Sequence, residues 1–211
     1  MIRGFLPALG CTLALSGPLS AADGIWTQFD LSDQGMLLVT NVEQGRQVYG
    51  LVIGDDDDEA WLTLSLLRTW QAGPDEAPWK LRAGPVLRAE QIGAWEADEH
   101  DLSWCGADDR DCVAGRAGLR LSVDRWKSYE SFGLFLMADY STIDRARLGV
   151  MGLTHLASGL GGQISIYREE DGETTPAAML SAKLPGSRFS VRLGHKFVED
   201  ETFVGISFST Y

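Results

Sequence analysis

A histidine and a serine at positions 155 and 158 come closest in this sequence to the residues of a nucleophilic site. A His beside a Ser can accept the hydroxyl proton and activate the oxygen for attack. His155 and Ser158 are three apart, in a segment where a turn is predicted, so we expect no catalytic residue here.

Two acidic clusters, Asp55 to Glu59 and Asp108 to Asp111, could gather a divalent cation. Neither has the spaced ligands, central Gly and terminal Glu of a calcium loop. The glycine-rich segment Gly159 to Gly162 lies between two predicted strands, whereas a phosphate-binding loop opens a helix. We therefore predict solvated acidic loops, with no metal and no cofactor.

The cysteine spacing predicts one disulfide. Cys105 and Cys112 are the cysteines that remain if an N-terminal leader containing Cys11 is removed. An even pair in an exported chain indicates a disulfide, here one that closes a short loop. Zinc is the alternative, but only His100 is nearby and a second pair of ligands is missing.

Residues 1–22 have the order of a secretory signal peptide. A basic start precedes a mostly apolar run over residues 5–15, and small residues precede a cleavage point near Ala22. The apolar run is too short to span a bilayer. A lipoprotein signal ending at Cys11 is the alternative. We expect residues 23–211 to form the mature chain, as a single domain.

Charge and length limit the function. The 211 residues include 18 basic and 30 acidic side chains, which give a formal net charge of −12. Because such a chain repels phosphate backbones, no nucleic acid partner is expected. The roughly 190 residues left after processing are enough for one domain with a sizeable core.

Apolar and polar residues alternate with period two from Ile25 onward, which predicts strands and no helix. Short turns alternate with long or acidic connections, of which the longest, residues 91–114, holds both cysteines of the predicted disulfide. Strands of about ten residues can cross a bilayer when they are tilted. The candidate strands number twelve, or ten without the first two: residues 25–31, 36–42, 47–54, 60–70, 79–90, 115–126, 133–143, 146–156, 161–169, 176–184, 188–198 and 201–211.

Each predicted strand has one apolar and one polar face, because successive side chains point to opposite sides of a sheet. Leu, Ala and Val dominate the apolar face, for example at Leu62, Leu64 and Leu66. The polar parity also includes Glu90, Arg147, Glu169 and Lys183. In a membrane barrel this parity lines the lumen, and the charged residues assigned to the lumen are Lys80, Arg82, Arg88, Arg116, Arg120, Asp124, Asp139, Arg188, Arg192 and Lys196.

With these strands, these sorted connections and a final aromatic residue, the mature chain resembles the bacterial outer-membrane β-barrel class over nearly all of its length. The resemblance implies an antiparallel transmembrane barrel of about twelve strands, with short periplasmic turns and longer outside loops. In that class the insertion machinery recognises a terminal aromatic with apolar residues on its parity. Tyr211 and Phe203 match this pattern, whereas Gly205, Ser207 and Ser209 do not. The implied partners are outer-membrane lipid and the insertion machinery.

We expect a non-enzymatic function, either as a narrow pore or as a structural protein of the outer membrane. Basic residues outnumber acidic ones on the predicted lumen face, so a pore would prefer anions and would pass a small anionic solute. Internal ion pairs, such as Arg88 with Glu90 or Arg120 with Asp124, would instead plug a small barrel. The alternatives are a secreted soluble β-barrel or sandwich that binds a ligand or partner in the periplasm, and a lipid-modifying outer-membrane enzyme.

Overall fold

The computed structural model describes residues 23–56, 59–93, 103–105, 111–170 and 172–211. Within these ranges the chain forms strands joined by turns, with one short 3-10 helix at Ile143–Arg145. The strands are β1 Gly24–Leu31, β2 Gly35–Gln44, β3 Gln47–Asp56, β4 Glu59–Ala72, β5 Trp79–Gly93, β6 Ser103–Cys105, β7 Asp111–Ser128, β8 Phe132–Ser141, β9 Arg147–His155, β10 Leu160–Arg168, β11 Thr175–Lys183, β12 Phe189–Lys196 and β13 Glu201–Ser209.

The strands close into a ring. Each long strand pairs antiparallel with its neighbours in the chain, β5 pairs with β7, and β1 pairs with β13. The short β6 pairs only with β7 and is not one of the strands that close the ring. The fold is therefore a closed antiparallel barrel of twelve strands. This confirms the predicted all-β class and the strand number of twelve rather than ten.

Large apolar side chains cover the outside of the barrel. On β4, Leu62, Leu64 and Leu66 are exposed, while Ser65 and Leu67 on the opposite parity are buried. The same alternation leaves Leu180 on β11 67% exposed. A soluble protein rarely shows so extensive an apolar surface, so the outer face suits a non-aqueous surrounding.

The two ends of the barrel differ. We call the end with the β4–β5 and β11–β12 turns the turn end, and the opposite end, with the β5–β7 connection, the loop end.

Aromatic side chains lie on the outer face near the turn end, and basic groups cover two of them. Arg125 stands 5.1 Å from the ring centre of Trp79, and Lys127 stands 4.9 Å from that of Tyr129. Such aromatic residues are typical of a membrane interface.

One turn folds into the barrel, contrary to the predicted strand over residues 133–143. β8 ends at Ser141, and residues 142–146 turn inward at the loop end. Asp144 and Arg145 have φ angles of 54° and 43°, in the left-handed region. Ile143 is buried against Gly118 of β7, where a Cβ would lie 2.8 Å from the Ile143 side chain. We call residues 142–146 the inward turn.

Several predictions fall outside the described residues. They are the signal peptide and Cys11, Asp57 and Asp58, His100, and most of the acidic cluster at 108–111. β6 was not predicted, and it lies within the predicted outside loop 91–114. No helix in the described part of the chain is long and apolar enough to span a membrane.

Candidate functional site

Nine of the ten charged residues assigned to the lumen lie on the inner side of the barrel strands. They alternate along their strands with the exposed apolar residues of the outer face, and most form ion pairs with one another or with inner acidic groups. Arg188 differs, because it lies exposed in the turn before β12. The inner positions are those of Lys80, Arg82, Arg88, Arg116, Arg120, Asp124, Asp139, Arg192 and Lys196.

Four acidic partners on the inner side were missing from the sequence analysis. Asp30 and Glu201 lie close to strand ends, Glu43 falls within a predicted turn, and Asp144 falls outside the regular strand pattern. All four form ion pairs with inner cations. The predicted excess of inner basic charge is therefore largely neutralised.

An ion-pair cluster spans the interior at the turn end. Lys80 Nζ lies 3.4 Å and Arg82 Nη2 3.7 Å from Glu43 Oε2, and Arg82 also pairs with Asp124. Glu43 belongs to β2 and the two cations to β5, with β3 and β4 between them. These side chains therefore meet over the interior and narrow it.

Tyr211, which follows β13, joins this cluster. Its ring covers Gly24 of β1, where a Cβ would lie 2.2 Å from the ring, and its hydroxyl donates to Glu43 Oε2 at 3.4 Å. Burial and the negative charge of Glu43 raise the pKa of Tyr211 to about 12. The hydroxyl therefore remains a donor at neutral pH.

A second cluster lies at the loop end. Arg88 Nε stands 2.9 Å from Glu90 Oε2, and Arg116 Nη2 stands 2.5 Å from Glu90 Oε1. Asp144 of the inward turn accepts from both arginines, at 3.0 Å in the case of Arg88 Nη1. Arg88 also stands 5.7 Å from the ring centre of Trp61. The inward turn thus supplies a carboxylate to the entrance of the barrel.

A third cluster crosses the seam where β1 meets β13. Arg192 Nη2 of β12 lies 3.5 Å from Asp30 Oδ2 of β1. Gly205 of β13 is in register with both residues. Lys196 pairs with Glu201 and lies 2.9 Å from Glu199. These pairs join three neighbouring strands from the inside.

The predicted pairing of Arg120 with Asp124 is wrong. Arg120 Nε instead lies 2.9 Å from Asp139 Oδ2 on the neighbouring β8, and Asp124 pairs with Arg82. Cross-strand neighbours are closer than residues four apart on one extended strand, whose separation is about 13 Å. The predicted pairing of Arg88 with Glu90, two apart on one face, is present.

In most of the inner ion pairs the cation is more exposed to water than its acidic partner. The side chain of Arg116 is 33% exposed against 6% for Glu90, and that of Lys196 is 35% exposed against 7% for Glu201. Arg120 and Asp139 show the same order, with 24% against 10%. Arg192 with Asp30 is an exception, since both are buried. Where this order holds, the cations present more surface to water than the acids that they pair with.

Other residues from the sequence analysis lie away from this interior. His155 Nδ1 is 2.8 Å from Ser158 Oγ, in an exposed turn where the serine oxygen also accepts from the Leu160 amide, and the contact fits a turn cap. Cys105 lies opposite Cys112 in the β6–β7 ladder. Among the described residues no group of three His, Cys, Asp or Glu side chains could hold a metal.

Arg147 is not on the inner face, contrary to its predicted parity. It shares the outer face of β9 with Met151 and Leu153, while the buried Val150 faces inward. The sequence is ambiguous here because β9 carries apolar residues on both parities, as Leu148, Val150, Met151 and Leu153 show.

No protein-family model matches the chain, and no curated protein matches it in sequence. Solved structures do share its fold. A KdgM porin superposes with a TM-score of 0.52 at 10% identity, covering 89% of this chain and 99% of the porin. A KdgM porin in complex with disordered oligogalacturonate superposes with a TM-score of 0.50, with the same identity and coverage. At this identity the similarity establishes the fold alone, a closed antiparallel barrel of twelve strands.

Proposed function

We propose that this protein is a non-enzymatic pore of the bacterial outer membrane that favours small anionic solutes. The observation that carries the proposal is the unequal exposure of the inner charges: in most of the inner ion pairs the arginine or lysine is more exposed to water than its acidic partner. A solute in the interior would therefore meet more cationic than anionic surface on these pairs. Cationic rings at the wall of a pore favour the passage of anions.

The outer face supports placement in a membrane. Its exposed leucines, valines and isoleucines form an apolar surface with an aromatic border at the turn end. This surface argues against the alternative of a soluble periplasmic barrel. The signal peptide predicted for residues 1–22 would fit export, and outer-membrane lipid and the insertion machinery are the partners that this placement requires.

Anionic sugars are the solute class that we propose. One porin with this fold is in complex with oligogalacturonate, a chain of carboxylate-bearing sugars. In the present barrel, Arg116 and Arg120 offer partly exposed guanidinium groups in the interior. A guanidinium group binds a carboxylate with paired hydrogen bonds. The carboxylates of such sugars would therefore compete with the protein's own carboxylates for these two arginines.

Planar-bilayer recordings of the purified protein test this function. In a gradient of KCl the reversal potential should show preference for chloride, and oligogalacturonate should block the current more than a neutral oligosaccharide of equal length. Gel mobility before and after boiling verifies that the barrel is folded. Cation preference in a folded, inserted protein would overturn the proposed selectivity.

A plugged structural barrel is the second candidate. The ion pairs between β2 and β5, the ring of Tyr211 and the inward turn all reduce the free interior. If the protein shows the gel shift of a membrane barrel but no conductance, this structural function replaces the pore.

We propose that the insertion machinery recognises the outward-facing residues of β13. Tyr211 turns inward over Gly24, whereas Val204 and Ile206 are exposed on the outer face and Phe208 shares their parity. F208A should therefore slow assembly in an outer-membrane insertion assay more than Y211A. The reverse order would show that the terminal aromatic is read despite its inward position.

A further inference from the structure

Two arginines face each other on the outside of the barrel. Arg147 of β9 and Arg168 of β10 are direct partners in the antiparallel register. Arg147 shares its face with Met151, and Arg168 shares its face with Ile164 and Ile166, all of them exposed. Both arginines are also exposed. They therefore form a basic pair at the loop-end border of the apolar outer surface.

Neither arginine has an ion-pair or hydrogen-bond partner on its side chain among the described residues. The nearby acids are engaged elsewhere. Glu170 pairs with Arg145, Asp144 turns inward to the lumen arginines, and Glu169 accepts a hydrogen bond from Tyr167 at 2.5 Å. Like charges directly opposite each other on a sheet repel and destabilise it. The pair therefore leaves a position between the two guanidinium groups that suits an anion.

We propose that Arg147 and Arg168 bind the phosphate of a lipid headgroup in the outer leaflet. Each guanidinium can give two parallel hydrogen bonds to phosphate oxygens, and two such groups would remove the mutual repulsion. The apolar residues beneath, Ile166 and Met151, would contact the acyl chains of the same lipid. The site thus combines a headgroup contact with a chain contact.

The location of the two arginines at the border of the apolar surface favours a lipid phosphate over inorganic phosphate as the ligand. The inference rests on the membrane placement made under the proposed function, and it takes the loop end, which carries the predicted outside loop 91–114, as the external end. Tyr140 of β8 is in register with Arg147 and belongs to the outer parity of β8. Tyrosine on an outer face is typical of the membrane–water interface. Inorganic phosphate has no acyl chain for the apolar surface, so it should bind far more weakly.

Native mass spectrometry of the folded protein in neutral detergent, with added lipid A as the probe, tests the inference. Bis-phosphorylated lipid A should remain bound to the wild type, and R147Q/R168Q should retain at least about tenfold less. The matched control R46Q/R188Q removes the same charge from exposed turns at the opposite end and should bind as the wild type does.

Thermal unfolding gives a second readout, in which the difference in unfolding temperature between R168Q and the wild type should change sign when lipid A is added. Without lipid, R168Q should unfold at the same or a higher temperature than the wild type, because it relieves the repulsion. With lipid A the order should reverse. A variant that merely folds poorly would lose stability in both conditions, which would contradict the proposal.

Three results would overturn the inference: equal binding by R147Q/R168Q and the wild type, equal binding of dephosphorylated lipid A, or equal stabilisation by inorganic phosphate. Each is independent of the pore. A protein that conducts but fails these tests keeps the proposed function. A protein with neither a gel shift nor conductance loses the proposed function, and this inference with it.

Discussion

Arg192 and Asp30 meet across the seam of the barrel, over a strand that belongs to neither of them. Gly205 lies between them in register, and a Cβ at that position would stand 2.1 Å from Asp30 Oδ1 and 2.4 Å from the carbonyl oxygen of Phe29. The missing side chain of Gly205 is thus what allows the pair to form. Both charged side chains are buried, and their pairing joins β12 to β1 from inside.

Arg192 should therefore stabilise the barrel rather than select ions. Removing one partner of a buried ion pair typically costs about 3 to 5 kcal/mol. We expect R192Q to lower the temperature at which the gel shift is lost, with little change in reversal potential. G205A should destabilise in the same way, because its Cβ meets the backbone as well as Asp30. A wild-type melting temperature for R192Q would contradict this role.

Arg120 should influence selectivity, because it is partly exposed to the interior above the more buried Asp139. R120Q leaves that carboxylate without its partner. One unit charge acting through water on an ion about 8 Å away contributes about 0.5 kcal/mol, so chloride preference should fall roughly twofold. Bilayer reversal potentials measure the change. The control R68Q removes an arginine of the outer parity of β4 and should leave selectivity unchanged; an equal shift in both variants would exclude a local effect.

Asp144 should act in the opposite direction. Its carboxylate binds Arg88 and Arg116 at the loop end, and it belongs to a turn rather than to a strand of the wall. D144N should release positive charge at the entrance and raise chloride preference, again about twofold by the same Coulomb estimate. The gel shift should be retained. Lower chloride preference in D144N would show that the inner face has been assigned the wrong sign.

Cys105 and Cys112 should form a disulfide that holds the loop end but not the barrel. They are opposite each other in the β6–β7 ladder, and Cys112 is fully buried beside Ala114. Closing so short a loop stabilises the chain by about 2 to 3 kcal/mol at most. Reduction or C105S should increase protease cleavage near β6 and leave the gel shift intact. Two free thiols in the exported, non-reduced protein would disprove the bridge.

The strands could be predicted from the sequence because burial on one face only imposes a period of two. All twelve barrel strands coincide with predicted ones to within a few residues at each end. The alternation of Phe189, Val191 and Leu193 with Ser190 and Arg192 gave the correct inner face of β12. Where both parities are apolar, as in β9, the pattern did not define a face, and Arg147 was assigned to the wrong side.

The partners of the inner charges could not be predicted. Glu43 reaches Lys80 only because the sheet curves through β3 and β4 into a ring, which no local pattern encodes. Asp144 reaches the interior through two consecutive residues with left-handed backbone, neither of which is glycine. Charge counting along the sequence therefore overestimated the net positive charge of the lumen.

Because of the inward turn, substitutions that change the charge at the entrance need not change the strands that form the fold. Residues 142–146 supply the carboxylate that neutralises Arg88 and Arg116, yet the ladders that close the ring are formed by other residues. Loops tolerate substitution and changes of length that strands do not. A lineage could thus alter the charge at the entrance through changes in five residues, under selection by the solutes it meets, while the assembly of the barrel stays the same.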